Sequence, residues 1–288
     1  MQPLTLITGS SGFLGKNFLH KFKKGGNILL LRNRSETDIT KQYKTVYGDL
    51  SSNDTLKMIG KIKFARLIHF SWSGIPVLDK SNNKLNLENT LKLIKTLLDK
   101  NPECELNLMG SCLEYGNVQG EVNETSQPIS PSDFGETKLK ILDFVKNSAK
   151  NYRWFRIFYA YGQGQHKSSI INYCYSNLEL NKSLSLNEPN RAHDYIYVGD
   201  VASLISRCIP DYRVKGVINI GAGVLTSNSQ ILNEIKKQMG LETFENECKN
   251  YPGMYASTKR VLEFFPRFRF TAIEKGIEDT LLALKKQY

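Results

Sequence analysis

The chain has 288 residues, enough for one large α/β domain or two smaller ones. Its hydrophobic content of 40% and charged content of 23% are ordinary for a soluble globular protein; no apolar run approaches the ~20 residues that span a bilayer. The formal charge of +11 comes from scattered lysines interleaved with acidic residues, with no basic stripe bearing aromatics; this argues against a nucleic-acid partner and leaves a solvated surface, or a field that favours a small dianionic ligand.

Leu4–Thr8 reads as a short apolar strand ended by glycine, so no signal peptide is expected. Phe13, Leu14, Phe18, Leu19 and Phe22 then recur at helical spacing. Ile28–Leu31 is a continuous apolar run, and Leu67–Phe70 and Leu106–Met109 are apolar runs each broken by one polar residue, His69 and Asn107, as expected of strands buried on both faces. Leu87, Leu91, Ile94 and Leu98 mark a helix between the second and third of these runs, and Leu139, Leu142 and Val145 mark another over 136–149. A strand over Trp154–Phe158 follows. This β-α repetition predicts an α/β fold whose parallel sheet is wrapped by helices.

After Gly164, Ser, Asn and Lys become frequent. Ile170–Leu180 reads as a helix, Asp194–Ser206 as a strand–helix unit, Val217–Ile220 as a strand and Ile273–Lys285 as a helix. The predicted division is a first domain over 1–162, joined by 195–222, and a smaller mixed domain formed mainly by 163–194 and 223–288. The cysteines at 104, 112, 174, 208 and 248 are odd in number and lack C-x-x-C spacing; they are expected to be reduced thiols in a cytoplasmic protein without a metal site.

Chemistry concentrates at four places. Gly9, Gly12 and Gly15, with Ser11, Phe13 and Leu14 between them, join the first strand to the first helix. Such glycines permit a tight turn and let backbone N–H groups approach a pyrophosphate. Arg32 and Arg34 stand at the end of the second strand, where a carboxylate would select NAD; guanidinium forks suit the extra phosphate of NADP, although both could be solvated loop residues. Asp49, in Gly48-Asp49-Leu50, is an acidic residue after a glycine and equally a turn former. Ser111 closes the third apolar run in Gly110-Ser111-Cys112-Leu113-Glu114-Tyr115-Gly116, and Phe134 and Lys138 share one helix face in Phe134-Gly135-Glu136-Thr137-Lys138.

Together these motifs resemble the extended short-chain dehydrogenase/reductase family, whose catalytic trio is Ser, Tyr and Lys. The resemblance implies a Rossmann-type doubly wound sheet binding NAD(P), with a smaller C-terminal substrate domain. It implies that Gly9, Ser11, Gly12, Phe13, Leu14, Gly15, Arg32, Arg34, Asp49, Leu50, Ser71, Asn86 and Lys138 hold the cofactor. Asp49 would lie near the adenine amino group, and Lys138 would bind the nicotinamide ribose. On the substrate side it implies Ser73, Ser111, Arg191 and His193; His193 replaces the arginine usual before Asp194-Tyr195. A homodimer pairing the 86–99 and 136–149 helices is also implied.

Phe134 stands where the family has tyrosine and cannot move a proton. Either an otherwise complete enzyme lacks one part, or another acid serves (Tyr115, Cys112 or a water), or the chain only binds. The family's 4,6-dehydratases carry Asp-Glu just after the Ser or Thr, where this chain has Cys112-Leu113, so dehydration is not expected. Epimerase–reductases place a cysteine at the position of Leu113, so their carbon-acid chemistry is not expected either. The stretches Ile68–Pro76, Ser111–Gly116 and Arg156–Gln165 are most similar to nucleotide-sugar 4-ketoreductases of the 6-deoxytalose/fucose type. The expectation is an NADP(H)-dependent reductase of a nucleotide-linked 4-keto sugar, serving bacterial-type surface polysaccharide synthesis and impaired by Phe134. The alternatives are an NAD-dependent 4-epimerase and a non-catalytic binding protein.

Overall fold

The computed structural model describes residues 4–22, 27–32, 41–182, 184–244 and 252–286. In chain order the first half contains β1 (Leu4–Thr8), α1 (Phe13–Lys21), β2 (Asn27–Arg32), β3 (Lys44–Tyr47), α2 (Asn53–Gly60), β4 (Arg66–His69), α3 (Lys80–Lys100) and β5 (Glu105–Ser111). A 3-10 turn (Cys112–Tyr115), β6 (Gly120–Val122), α4 (Asp133–Ser148), β7 (Tyr152–Ile157) and β8 (Tyr159–Tyr161) follow. The remainder comprises α5 (Ile170–Glu179), β9 (Ala192–Tyr197), α6 (Val198–Cys208), β10 (Gly216–Ile220), β11 (Leu225–Ser227), α7 (Asn228–Gln238), β12 (Met254–Ala256), α8 (Lys259–Phe264) and α9 (Ile273–Lys285).

The apolar runs became the middle of a seven-stranded sheet in the order β10-β7-β5-β4-β1-β2-β3. Parallel pairing joins β3 to β2, β2 to β1, β1 to β4, β4 to β5 and β5 to β7. This is the parallel sheet expected from the alternating pattern, in the Rossmann-type arrangement that the resemblance implies. The chain winds to one side of β1 through β2 and to the other through β4, so the topological switch lies at the carboxyl end of β1, where ligands bind in such sheets. Leu6, Leu31, Leu67, Leu106 and Trp154 from the strands pack with Leu93, Ile94 and Leu97 of α3 and Ile141 and Val145 of α4.

Two compact units divide the chain: 1–117, 127–157 and 202–218 form one, and 118–126, 158–201 and 219–288 the other. The strand expected over Trp154–Phe158 is observed as β7 and stops one residue short of Phe158. β7 ends at Ile157, and after Phe158 the chain continues as β8 in a different, three-stranded sheet, β11-β9-β8. β9 also lies in that smaller sheet; the chain rejoins the first unit at residue 202, within α6, and β10 then enters the seven-stranded sheet. A third sheet pairs β12 with β6 in parallel.

In the second unit Tyr161, Ile171, Cys174, Tyr175, Ile231, Ile235, Ile277 and Leu281 form a separate core. Asp194, fully buried, accepts backbone N–H bonds from Ala222 at 2.7 Å, Gly223 at 3.0 Å and Ala256 at 2.9 Å. One carboxylate thus ties β9 to the ends of β10 and β12. Among the described residues no helix is long and apolar enough to cross a membrane. Cys104, Cys112, Cys174 and Cys208 are buried free thiols; Cys248 lies outside the described residues.

Candidate active site

Gly9 leaves β1 with φ +70°, a conformation that L side chains rarely adopt, and a Cβ there would strike the backbone of Phe70 and Ser71. The turn therefore passes directly over the end of β4. Gly12 bonds back to the Gly9 carbonyl at 3.1 Å and begins α1 with no side-chain cap on its N–H groups. Ser11, Phe13 and Leu14 line the same turn half-buried, and Gly15 is buried against it. The Ser10 hydroxyl is buried and has no hydrogen-bond partner among the described residues. A tight turn, an uncapped helix start and an orphaned hydroxyl fit a bound pyrophosphate.

Arg32 is the last residue of β2 and is buried, not a solvated loop residue as one reading held. Its carbonyl accepts the Gly48 N–H at 2.8 Å. Arg34 lies outside the described residues. Asp49 is exposed, and its carboxylate accepts the Ser51 N–H at 2.8 Å and the Ser51 hydroxyl at 2.6 Å; the turn-forming reading thus accounts for that carboxylate. Leu50 beside it is half-buried and packs on the core of this unit.

The loop after β4 is held by α3. Asn86, buried, accepts the Ser73 N–H at 2.9 Å and donates to the Ser73 carbonyl at 2.9 Å and the Asn82 carbonyl at 2.8 Å. Asn86 is thereby a clamp on Ser73, in the loop that also carries half-buried Ser71. Beneath it, His69 bridges the Thr8 hydroxyl at 2.7 Å and the Thr90 hydroxyl at 3.2 Å. Burial and the nearby Lys138 charge push its pKa down to about 3, so this imidazole is neutral.

Ser111 caps the 3-10 turn that follows β5. Its hydroxyl accepts the Leu113 N–H at 3.1 Å, and its own N–H donates to Glu114 at 2.8 Å. Glu114 was not anticipated as a site residue. Fully buried, it receives the Trp154 indole N–H at 3.0 Å and the Arg156 Nε–H at 2.7 Å. Burial pushes its carboxyl up, and Arg156 opposes that shift. A signal for it does exist in the sequence: Ser111-x-x-Glu114 is a capping box. The Arg156 guanidinium lies 4.4 Å from the centre of the wholly buried Tyr115 ring, and Cys112 is buried as well.

α4 carries the remaining pair. Ser132 caps it, and Asp133 and Glu136 occupy its first turn, where negative charge complements the helix dipole. A Cβ at Gly135 would collide with the Leu113 carbonyl, so only glycine lets α4 abut the Ser111 turn. That contact sets Phe134 and Lys138 beside β5. The Phe134 ring is buried edge-on to Trp72, centroids 5.2 Å apart. Lys138 Nζ donates to the Met109 carbonyl at 2.7 Å and sits 3.6 Å from the centre of the Trp72 ring. Burial lowers the Lys138 pKa to about 7, against the attraction of Glu114. Sequence reasoning passed over Trp72, because a single tryptophan between two serines has no periodicity to expose it.

Two further candidates belong to the second unit. Arg191 is exposed and donates to the Glu188 carboxylate at 2.8 Å. His193 stacks on Tyr159 with ring centres 3.8 Å apart. Burial and the Arg191 charge push its pKa down to about 4, so it offers a flat neutral ring.

GDP-6-deoxy-D-talose 4-dehydrogenase of Aggregatibacter actinomycetemcomitans is 23% identical over 296 residues, covering 95% of each chain. UDP-glucose 4-epimerase of Thermotoga maritima, solved with UDP-glucose, superposes with a TM-score of 0.85 at 16% identity over 99% of each chain. A tyrosine-to-phenylalanine variant of UDP-glucuronic acid 4-epimerase from Bacillus cereus, solved with NAD and UDP-4-deoxy-4-fluoro-glucuronic acid, gives 0.82 at 19% identity over 99% of this chain and 100% of that one. These structures share the fold. The NAD dependent epimerase/dehydratase family model matches residues 5–221, from β1 to the end of β10. With the glycine turn, the Ser111 turn and Lys138 all inside that span, this chain belongs to the NAD dependent epimerase/dehydratase family.

Proposed function

We propose that this chain binds a nicotinamide dinucleotide and a nucleotide-linked sugar, and that its site is built for NADPH-dependent reduction of a 4-keto group. The observation that carries this reading is the buried Lys138 amine, held from α4 on the Met109 carbonyl of β5, two residues before Ser111. When bound, the dinucleotide supplies the hydride. The turn from Gly9 to Gly15 and the start of α1 hold its pyrophosphate, Asn86 keeps the Ser71–Ser73 loop in place, and Lys138 binds its ribose. The Ser111 hydroxyl uses one lone pair on Leu113, leaving its proton to bond and polarise the substrate carbonyl oxygen. Arg32 at the end of β2, with no carboxylate beside it in Leu31-Arg32-Asn33, supports NADP(H). On the substrate side, Ser73, Arg191 and His193 remain the proposed contacts, and the 86–99 and 136–149 helices the proposed faces of a homodimer.

Phe134 withholds the proton that the developing alkoxide needs. General acid–base assistance is worth about 10²–10⁴ in rate. In the Bacillus cereus enzyme a tyrosine-to-phenylalanine variant was solved with both NAD and a sugar nucleotide; by analogy this chain binds both ligands while reducing slowly. The test is Phe134→Tyr, assayed with 4-keto-6-deoxy nucleotide sugars and NADPH. Activity rises by a factor within that range; a rise below about 10-fold overturns the reading of position 134.

One observation favours a second reading. The Arg32 side chain is buried and not displayed to solvent, which suits NAD and a 4-epimerase that retains its cofactor. Interconversion of a sugar nucleotide by the Phe134→Tyr variant without added NADPH is the outcome that selects it.

A further inference from the structure

We infer that Trp72 is a positioning residue of this site: its indole face, walled by Phe134, seats the Lys138 ammonium where the chain has no phenol to face it. Three contacts converge on that amine. Nζ lies 3.6 Å from the Trp72 ring centre, 5.6 Å from the Phe134 ring centre and 2.7 Å from the Met109 carbonyl oxygen. An ammonium over the negative face of an indole is attracted by the ring quadrupole, most strongly when both are shielded from water. Phe134 meets Trp72 edge-on, interplanar angle 80°, so it fixes the tilt of the indole. The Trp72 Nε1–H is itself buried and has no hydrogen-bond partner among the described residues. The indole is thus held by ring packing and by the cation on its face, and it couples the β4 loop to α4.

Two other titratable groups face Lys138. Glu114, on the 3-10 turn, favours its charged form. His69, on β4, is neutral near pH 7 and adds no charge. Burial places the Lys138 titration near pH 7, so the indole meets a cation below neutrality and a neutral amine above it. The inferred consequence for ligand binding rests on the dinucleotide reading, because an ordered Lys138 amine is what would meet the ribose.

The chain has two tryptophans, so the emission difference between the wild type and Trp72→Phe isolates Trp72 without disturbing Trp154. In the ligand-free protein that difference changes across the pH range with a midpoint of about 7, and the change disappears in a Lys138→Met background. An emission difference flat from about pH 5.5 to pH 9, or one that persists unchanged without Lys138, overturns the seat. The second arm compares NADPH affinity: Trp72→Phe keeps an aromatic face and stays close to wild type, whereas Trp72→Leu weakens binding about 2- to 30-fold. Equal affinity for the two variants contradicts the positioning role. If no form binds NADPH or NADH, the dinucleotide reading fails while the fluorescence arm still judges the seat.

Discussion

At position 138 a charged side chain pays for its burial, and the sign of that cost can be read from pH. Lys138 titrates near 7 in the folded chain, against an ordinary value of 10.5. Between those values the unfolded chain binds the extra proton and the folded chain does not. Stability therefore rises with pH across the window, and the full penalty acts below pH 7. Lys138→Met removes it. We expect the variant to be more stable than wild type at pH 6.5, on the order of 2 kcal/mol in urea denaturation, with the gain fading toward pH 10. Equal stability at both pH values would mean that the amine is well solvated. The charge itself was legible in the sequence, since Lys138 follows the motif position by one helical turn. Its aromatic surroundings were not, because Trp72 is brought to it by the β4 loop, 66 positions away along the chain.

Elements buried on both faces were the ones that the sequence announced. β1, β2, β4 and β5 are mainly apolar and buried, with His69 and Asn107 as buried polar interruptions, and α3 and α4 keep their apolar stripe toward the sheet. β3 is half-exposed with no alternation, and β6, β8, β11 and β12 are three residues each, too short for a period to register. β8 was hidden for another reason: the apolar run of β7 passes through Phe158 without a break while the chain changes sheets. The contact of α4 with the Ser111 turn shows how an element's position can hang on one small residue. At Gly135 the obstacle to a Cβ is the Leu113 carbonyl, part of the backbone and unable to rotate aside. Gly135→Ala should therefore shift α4 even though alanine is the better helix former. We expect a loss of about 1–3 kcal/mol in denaturant unfolding. Unchanged or increased stability would show that the turn yields easily and that Gly135 does not set the spacing of Lys138 from Ser111.

Across the whole molecule, charge bears on which dinucleotide is preferred. A net +11 spread over the surface gives no local site, yet it favours anions approaching from solution. NADPH carries one phosphate more than NADH, so its binding should gain more from this field and lose more when salt screens it. A contact of Arg32 with the 2′-phosphate would act differently: a buried guanidinium is shielded, and screening would weaken such a contact little. Measuring both affinities at about 20 mM and about 300 mM salt separates the two, because the Debye length falls severalfold across that range. If Arg32 reads the 2′-phosphate, the preference for NADPH survives at the higher salt and is lost in Arg32→Ala. If only the general field acts, the two cofactors converge as salt rises. Thermal unfolding gives the same answer without activity: at about 100 times Kd a ligand adds about 2.7 kcal/mol, a shift of about 5 °C for a chain of this size. A larger shift with NADH at either salt would place this chain with the NAD-retaining members of its family, and the 4-epimerase reading would then replace the reductase.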